Sequence, residues 1–413
     1  MKKSYLKQLI LFSAFIISMW GCENDYPDSI YNSNENFKPN PTITNVLPDV
    51  AFAGVDTISI TGENFSSNSA DVEVYFNGVK GETVFSSTGL VKVIPPNVIG
   101  DSVKIQLRVV GALKYAELKP YKLEPITIEY GVFDQFDDAY GIACDVNENI
   151  YVSLFGNKLI QKITPDLERH DYAKILRDKT TQMKFGPDGY LYYVFGLKFM
   201  LRVLPDGTKD ELFAILPGNA YDLDFDENLN IYSGGAGKAI YKTTPDKHST
   251  IVKQYPDTYI HAVRVYNGYL YVAGSYSGSD ANHAVEGVWR NQIIAGADSL
   301  GATELILDFA ATNVGNVIKS MVISEDGDIY LGTTGDEGIY VIKRDGLVAP
   351  LYPGVFRHVD NTVSEIYAMT WGNGDFLYVT RKSVFDQNKP DIDYNRILRV
   401  NMRKKTAPYY GRR

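Results

Sequence analysis

The sequence predicts an all-β chain in which a small β-sandwich is followed by a six-bladed β-propeller, and three observations carry that prediction. Tyr, Gly, Val and Ile are abundant while long Ala/Leu/Glu runs are missing. Residues 41–124 alternate apolar and polar with period two, in short runs broken by turn residues. From residue 139 an apolar-Tyr pair recurs, with Tyr-to-Tyr spacings of 41, 40, 39, 59 and 48 residues. A repeat of about 40 residues without helical periodicity holds four short strands, and six such units close a ring. An open solenoid is the structural alternative. The length of 413 residues is too great for one ordinary core and agrees with two parts.

The first element is an address. In residues 1–21, Lys2, Lys3 and Lys7 precede an apolar stretch, Leu9–Trp20, that is short for a permanent span. It ends in Met19-Trp20-Gly21-Cys22, which resembles the lipobox of bacterial lipoproteins. The resemblance implies lipidation of Cys22, which becomes the first residue of the mature chain and attaches it to the membrane. Loss of three lysines moves the formal charge from −9 to −12. Cys144 is then the only thiol left for protein chemistry, so no intrachain disulfide is expected. Residues 22–40 are rich in Asn, Asp, Ser and Pro and read as a flexible tether. Glu23 and Asp25 directly behind Cys22 are similar to the surface-export signal of Bacteroidota lipoproteins, which implies an outer-membrane protein facing the cell exterior. Asp28-Ser29-Ile30 also resembles the O-glycosylation sequon of exported proteins in that group.

The second element spans 41–124. Ile58-Ser-Ile60, Val72-Glu-Val-Tyr-Phe76 and Val103–Val109 alternate as half-buried strands, separated by Gly62-Glu63-Asn64, Asn77-Gly78 and Pro95-Pro96-Asn97. The wording around Pro41–Pro48, Gly54, Gly62-x-Asn64-Phe65 and Phe76-Asn77-Gly78 resembles the IPT/TIG immunoglobulin-like family. That family implies an Ig-like spacer or binding module and carries over no catalytic residue.

The third element, 125–413, holds the repeats at Tyr151, Tyr192, Tyr232, Tyr271, Tyr330 and Tyr378. Each pair follows a turn such as Asn147-Glu148-Asn149 or Asn267-Gly268, and a second apolar run follows it. Gly141-Ile-Ala-Cys-Asp145-x-Asn-Glu-Asn-Ile-Tyr-Val152 is similar to NHL repeats. Ile126–Tyr130 is a spare strand available to complete the last blade and fasten the circle.

Catalytic signatures are scarce. HExxH, GxSxG and a Walker A loop are missing, and no two of the five His stand at ligand spacing. Asp222-x-Asp224-x-Asp226-x-Asn228-x-Asn230 looks like a calcium loop but lacks its Gly and terminal Glu, so a structural turn is favoured. No cofactor is expected. Candidates come from the ring itself, whose inner strands start near the axial channel ten or eleven residues before each repeat Tyr. Counting back yields Tyr140, Gln182, Tyr221, Asp222, His261, Lys319 and Tyr367, and Glu365, two residues before Tyr367, completes the channel-mouth set. The following positions, Ile142, Met183, Leu223, Ala262, Met321 and Met369, are apolar and expected in the core. Gluconolactonases and regucalcin, similar six-bladed proteins, hold a metal through Glu, Asn and Asp at inner-strand starts. No such trio stands here, and the first position is Tyr140.

The surplus of acids over bases argues against nucleic acid as partner. Aromatics fit sugar faces, and Tyr276, Tyr352 and Tyr394 stand in loops where spacing is in excess. Lipobox, acidic tether, IPT/TIG module and NHL-like ring together resemble Bacteroidota surface lipoproteins that accompany SusC/SusD-type importers. That resemblance implies capture of a polysaccharide or oligosaccharide. Two other readings stay open: a scaffold or adhesion protein docking a protein partner such as the importer, and a glycan-active enzyme of lyase or lactonase type using His261, Tyr221 or Lys319.

Overall fold

A computed structural model describes residues 37–134, 136–177, 179–312, 315–356, 364–383 and 396–412. The leader, Cys22, most of the tether, Asp28-Ser29-Ile30 and Tyr394 lie outside the described residues. Apart from one short 3-10 turn, all regular structure in the described residues is β-strand.

Residues 42–124 build two sheets around one apolar core. Thr42–Leu47, Ile58–Glu63, Leu90–Ile94 and Glu82–Ser86 form a four-stranded sheet. Val50–Phe52, Ala116–Glu124, Gly100–Val109, Val72–Phe76 and Val79–Lys80 form a five-stranded one. The period-two pattern decides which side is buried: Ile58, Ile60, Val74, Phe76, Val91, Val93, Ile105 and Leu107 are all fully inside. Asn77 and Gly78 both take positive φ (48° and 85°), the hairpin geometry that Asn-Gly favours. Gly62 is required by closeness, since a Cβ there would meet the Thr42 carbonyl oxygen at 1.9 Å. The end of the expected tether is not free: Lys38 N donates to Gly111 O (2.8 Å), and Asn40 O accepts from Asn64 Nδ2 (3.0 Å).

Residues 127–401 form six four-stranded antiparallel sheets. Their innermost strands are Ala139–Cys144, Gln182–Phe185, Asp222–Phe225, Thr258–Tyr266, Ile318–Ile323 and Ser364–Trp371. Each innermost strand contacts the next, and the last contacts the first, so the sheets stand in a closed, propeller-like circle. The sixth sheet takes its outer strand, Thr127–Glu129, from ahead of the first, pairing Ile128 with Arg399. The spare strand therefore fastens the circle.

The repeat tyrosines lie on the second strands and are all buried, none more than 8% exposed. Each packs on the innermost strand of the next sheet. Tyr151 meets Phe185 at 4.8 Å, Tyr192 meets Phe225 at 5.4 Å, and Tyr330 meets Trp371 at 5.5 Å, edge to face. Ile142, Met183, Leu223, Ala262, Met321 and Met369 are buried to 1% or less, so these sheets are cemented face to face. Cys144 is a free thiol at the corresponding interface of the sixth and first sheets, and burial pushes its pKa up to about 12.

After the last strand the chain turns under the circle. Ala407 N donates to Ile323 O (3.0 Å), Tyr409 Oη to Phe185 O (2.6 Å), and Arg412 Nη2 to Gly372 O (3.4 Å). Residues 406–412 thus lie across one end of the axis, tying together the fifth, second and sixth sheets.

Candidate functional site

Among the described residues, nothing lies across the opposite end of the axis. A cavity of about 370 Å³ sits there, lined by Thr181, Gln182, Tyr221, Tyr259, His261, Ser275, Val317, Lys319 and Tyr367. Five of the eight residues expected at the mouth line it: Gln182, Tyr221, His261, Lys319 and Tyr367. Glu365 stands beside them, paired to Lys319 at 3.4 Å. Tyr140 backs the wall, its ring edge-on to Tyr367 at 5.0 Å.

Asp222 does not belong to this set. Its carboxylate is fully buried, with Oδ2 accepting from Val263 N (2.9 Å) and Arg264 Nη1 (2.5 Å) and Oδ1 from Leu223 N (2.8 Å). One step along a strand reverses the side chain, so Tyr221 and Asp222 face different surroundings. Asp224 Oδ2 likewise accepts from a neighbouring strand, at Val265 N (2.8 Å), and the turn end of the calcium-like run is used locally. Asp226 accepts from the backbone N–H groups of Asn228 and Asn230 (both 2.9 Å) and from Asn230 Nδ2, an Asx turn that Asp145 repeats in the first sheet. Among the described residues, no cluster of three His, Cys, Asp or Glu is arranged to hold a metal ion.

Aromatic rings shape the cavity. Tyr221 and Tyr259 lie 4.9 Å apart, and Tyr259 and His261 4.7 Å, forming one bank. Phe155, Tyr140 and Tyr367 form a second. The Lys382 ammonium stands 3.0 Å from the Tyr140 ring centroid and 3.2 Å from Asp138. Burial lowers its pKa to about 8. Desolvation also raises the phenols of Tyr259, Tyr367 and Tyr140, the last to about 12. Polar groups sit between the rings: Gln182 Oε1 is buried without a partner among the described residues, and the Lys319 ammonium, paired to Glu365, lines the cavity.

His261 is the most constrained polar group. Its Nε2 lies 2.8 Å from Ser275 Oγ, and that hydroxyl donates to Glu286 Oε2 at 2.5 Å. Glu286 Oε1 accepts from Ile318 N at 2.8 Å. A hydroxyl proton committed to the carboxylate leaves the serine oxygen to accept, so Nε2 carries the imidazole proton and Nδ1 is the ring acceptor. Burial, then the Lys319 charge, lowers the His261 pKa to about 4, keeping the ring neutral at pH 7.

Tyr259, Ser275, Lys382 and Phe155 were missed by counting back from the repeat tyrosines. The register pairs Tyr259 with Ser275 and Glu365 with Lys382. Phe155, Ser275 and Lys382 each stand four residues after a repeat Tyr, Ser275 and Lys382 on the second strand and Phe155 one residue past its end. Counting forward by four finds them. Two aromatics expected in loops go elsewhere: Tyr276 ends a strand, pairs with Thr258 and stacks on His283 at 3.9 Å, and Tyr352 Oη donates to Asn401 O at 2.9 Å.

With this geometry in place, comparison with known proteins adds two findings. Residues 41–123 match the IPT/TIG domain family. This segment is an IPT/TIG domain. No curated protein matches the chain in sequence. Among solved structures, a candidate phosphatase from Bacteroides thetaiotaomicron VPI-5482 aligns with a TM-score of 0.51 at 12% identity, covering 88% of this chain and 97% of that one. A luciferin-regenerating enzyme aligns with a TM-score of 0.51 at 14% identity, covering 70% and 99%. An auxiliary nutrient binding protein, also from Bacteroides thetaiotaomicron VPI-5482, aligns at 0.49 and 12%, covering 88% and 97%. The two alignments at 0.51 speak to the fold alone, which in this chain is an IPT/TIG domain followed by a propeller-like ring of sheets.

Proposed function

We propose that this chain is an outer-membrane surface lipoprotein, anchored through Cys22, that captures a glycan as an accessory to a SusC/SusD-type uptake system. In this reading the IPT/TIG domain is an Ig-like sandwich that lifts a six-bladed propeller from the membrane, and the open mouth of the propeller binds the ligand. One observation carries it. The cavity of about 370 Å³ has tyrosine walls, Tyr221, Tyr259 and Tyr367, with an amide, a hydroxyl, an imidazole and an ammonium between them. Rings offer stacking faces to sugar C–H surfaces, and the polar groups between them suit hydroxyls.

Affinity gels containing a panel of polysaccharides test this directly. The protein should be retarded by at least one of them, and Tyr259→Ala together with Tyr367→Ala should remove roughly tenfold or more of the affinity. Migration unaffected by every glycan, with a membrane complex co-purifying, would replace capture by scaffolding. The His261–Ser275–Glu286 relay supports a second reading, an enzyme in which neutral His261 accepts a proton at Nδ1. Release of product from a bound polysaccharide, abolished in His261→Ala, would establish it.

A further inference from the structure

The closed end of the axis holds a second cavity, of about 40 Å³, between the ends of the innermost strands and residues 406–412. Lys184, Asp224, Arg264, Trp371 and Arg412 line it, far in character from the aromatic mouth. Arg264, Trp371, Asp224 and Lys184 are buried to more than nine-tenths. Three cations, Lys184, Arg264 and Arg412, line it against one carboxylate, Asp224, and Asp222 pairs with Arg264 from outside the lining, so the lining and that ion-pair partner hold one more cation than anion.

The hydrogen bonding is unbalanced in the same direction. Asp222 is saturated by Val263 N, Leu223 N and Arg264 Nη1, and Asp224 Oδ2 accepts from Val265 N at 2.8 Å. Among the described residues, four buried donors have no hydrogen-bond partner: Arg264 Nε and Nη2, Arg412 Nη1 and Trp371 Nε1. Asp224 Oδ1 is the one unpartnered acceptor that lines the same cavity among the described residues. A single water satisfies that oxygen and one donor, leaving three donors and the excess charge. Buried donors and buried charge without partners are strongly disfavoured, so an unseen partner is called for. Water alone supplies acceptors but no charge. The space takes a few water-sized bodies and excludes a sugar or a phosphoester.

We infer that this cavity binds a small monovalent anion of the halide class, chloride being the abundant one, held between Lys184, Arg264, Arg412 and the Trp371 indole N–H. The anion neutralises the inner end of the ring and, through Arg412, holds the C-terminal segment against it. This site is independent of any ligand at the mouth.

Thermal unfolding of the full-length protein in sodium chloride and in sodium gluconate, at equal ionic strength, tests the inference. A ligand bound only by the folded state raises Tm with the logarithm of its concentration, here by about 2 °C per tenfold rise in chloride once the site is filling. Gluconate is too large to substitute and should give no such slope. Crystals grown in bromide should show one anomalous peak among Lys184, Arg264 and Arg412. Lys184→Met should remove both the slope and the peak, and Arg412→Gln, on the C-terminal segment, repeats that test if the first variant fails to fold. Identical Tm values in chloride and gluconate, with no bromide peak in the cavity, would overturn the inference and leave hydration as the occupant.

Discussion

His261 illustrates how a side chain is set by its neighbours. Ser275 and Glu286 fix its tautomer, and its enclosure keeps it neutral. The linkage follows from the sign of the shift. Above about pH 6.5 the imidazole is uncharged in both folded and unfolded chains. As pH falls from there toward about 4, the unfolded chain takes up a proton that the folded chain refuses, so stability is lost across that window. Urea midpoints measured between pH 7 and 4 should fall more steeply in the parent protein than in His261→Asn. An equally steep fall in both would show that the imidazole titrates normally. At this scale the sequence was informative where strand phase alone decides orientation. Gln182, Tyr221, His261, Lys319 and Tyr367 could be placed by counting from a repeat. Asp222 could not, because adjacent residues of a strand face opposite sides and the count was uncertain by one. Ser275 and Lys382 depended on cross-strand register, which a count along one strand does not include.

At the level of the element, the repeat tyrosine is a mortar between sheets rather than a ligand group. Tyr330 is 2% exposed and meets Trp371 edge to face. Tyr330→Ala should cost about 3–5 kcal/mol, as for other large aromatic truncations in a core, while Tyr330→Phe should cost far less. Denaturant unfolding of the two variants decides this, and a small loss in Tyr330→Ala would contradict the packing. The strands themselves were legible because each carries a turn signal, such as Asn267-Gly268 with φ of 47° and 76°. Less legible was the cause of the 59-residue spacing. Part of it is strand rather than loop: Glu286–Ile293 and Leu300–Asp308 run eight and nine residues, where the matching strands of the third sheet run five and six. Period-two alternation continues through a long strand without marking where a short one would have ended.

For the whole molecule, the two-part division was visible in the change from unrepeated strands to a repeat of about 40 residues, and the closing strand in an unassigned apolar run. The C-terminal segment was not, because Thr406-Ala-Pro-Tyr-Tyr-Gly-Arg412 has no periodicity and its role exists only once the ring surrounds it. Contact between the parts includes Arg403 Nη2 donating to Asp56 Oδ1 at 2.6 Å, with the same guanidinium 4.7 Å from the Phe52 ring centroid. The proposed address makes its own prediction at this scale. Cys22→Ser should abolish incorporation of labelled fatty acid and move the protein from the membrane to the soluble fraction, and unchanged labelling would remove the lipid anchor from the proposal.

The strand Thr127–Glu129 waits for a partner 271 residues further along, since Ile128 pairs with Arg399. During synthesis the early sheets have neighbours on one side only, and the axis is sealed only after residues 406–412 have followed. Contacts between such distant segments form late. A chain built this way stays unlocked until residues 406–412 are made, and the proposed export would use that delay, because a pore passes a chain that has not yet folded.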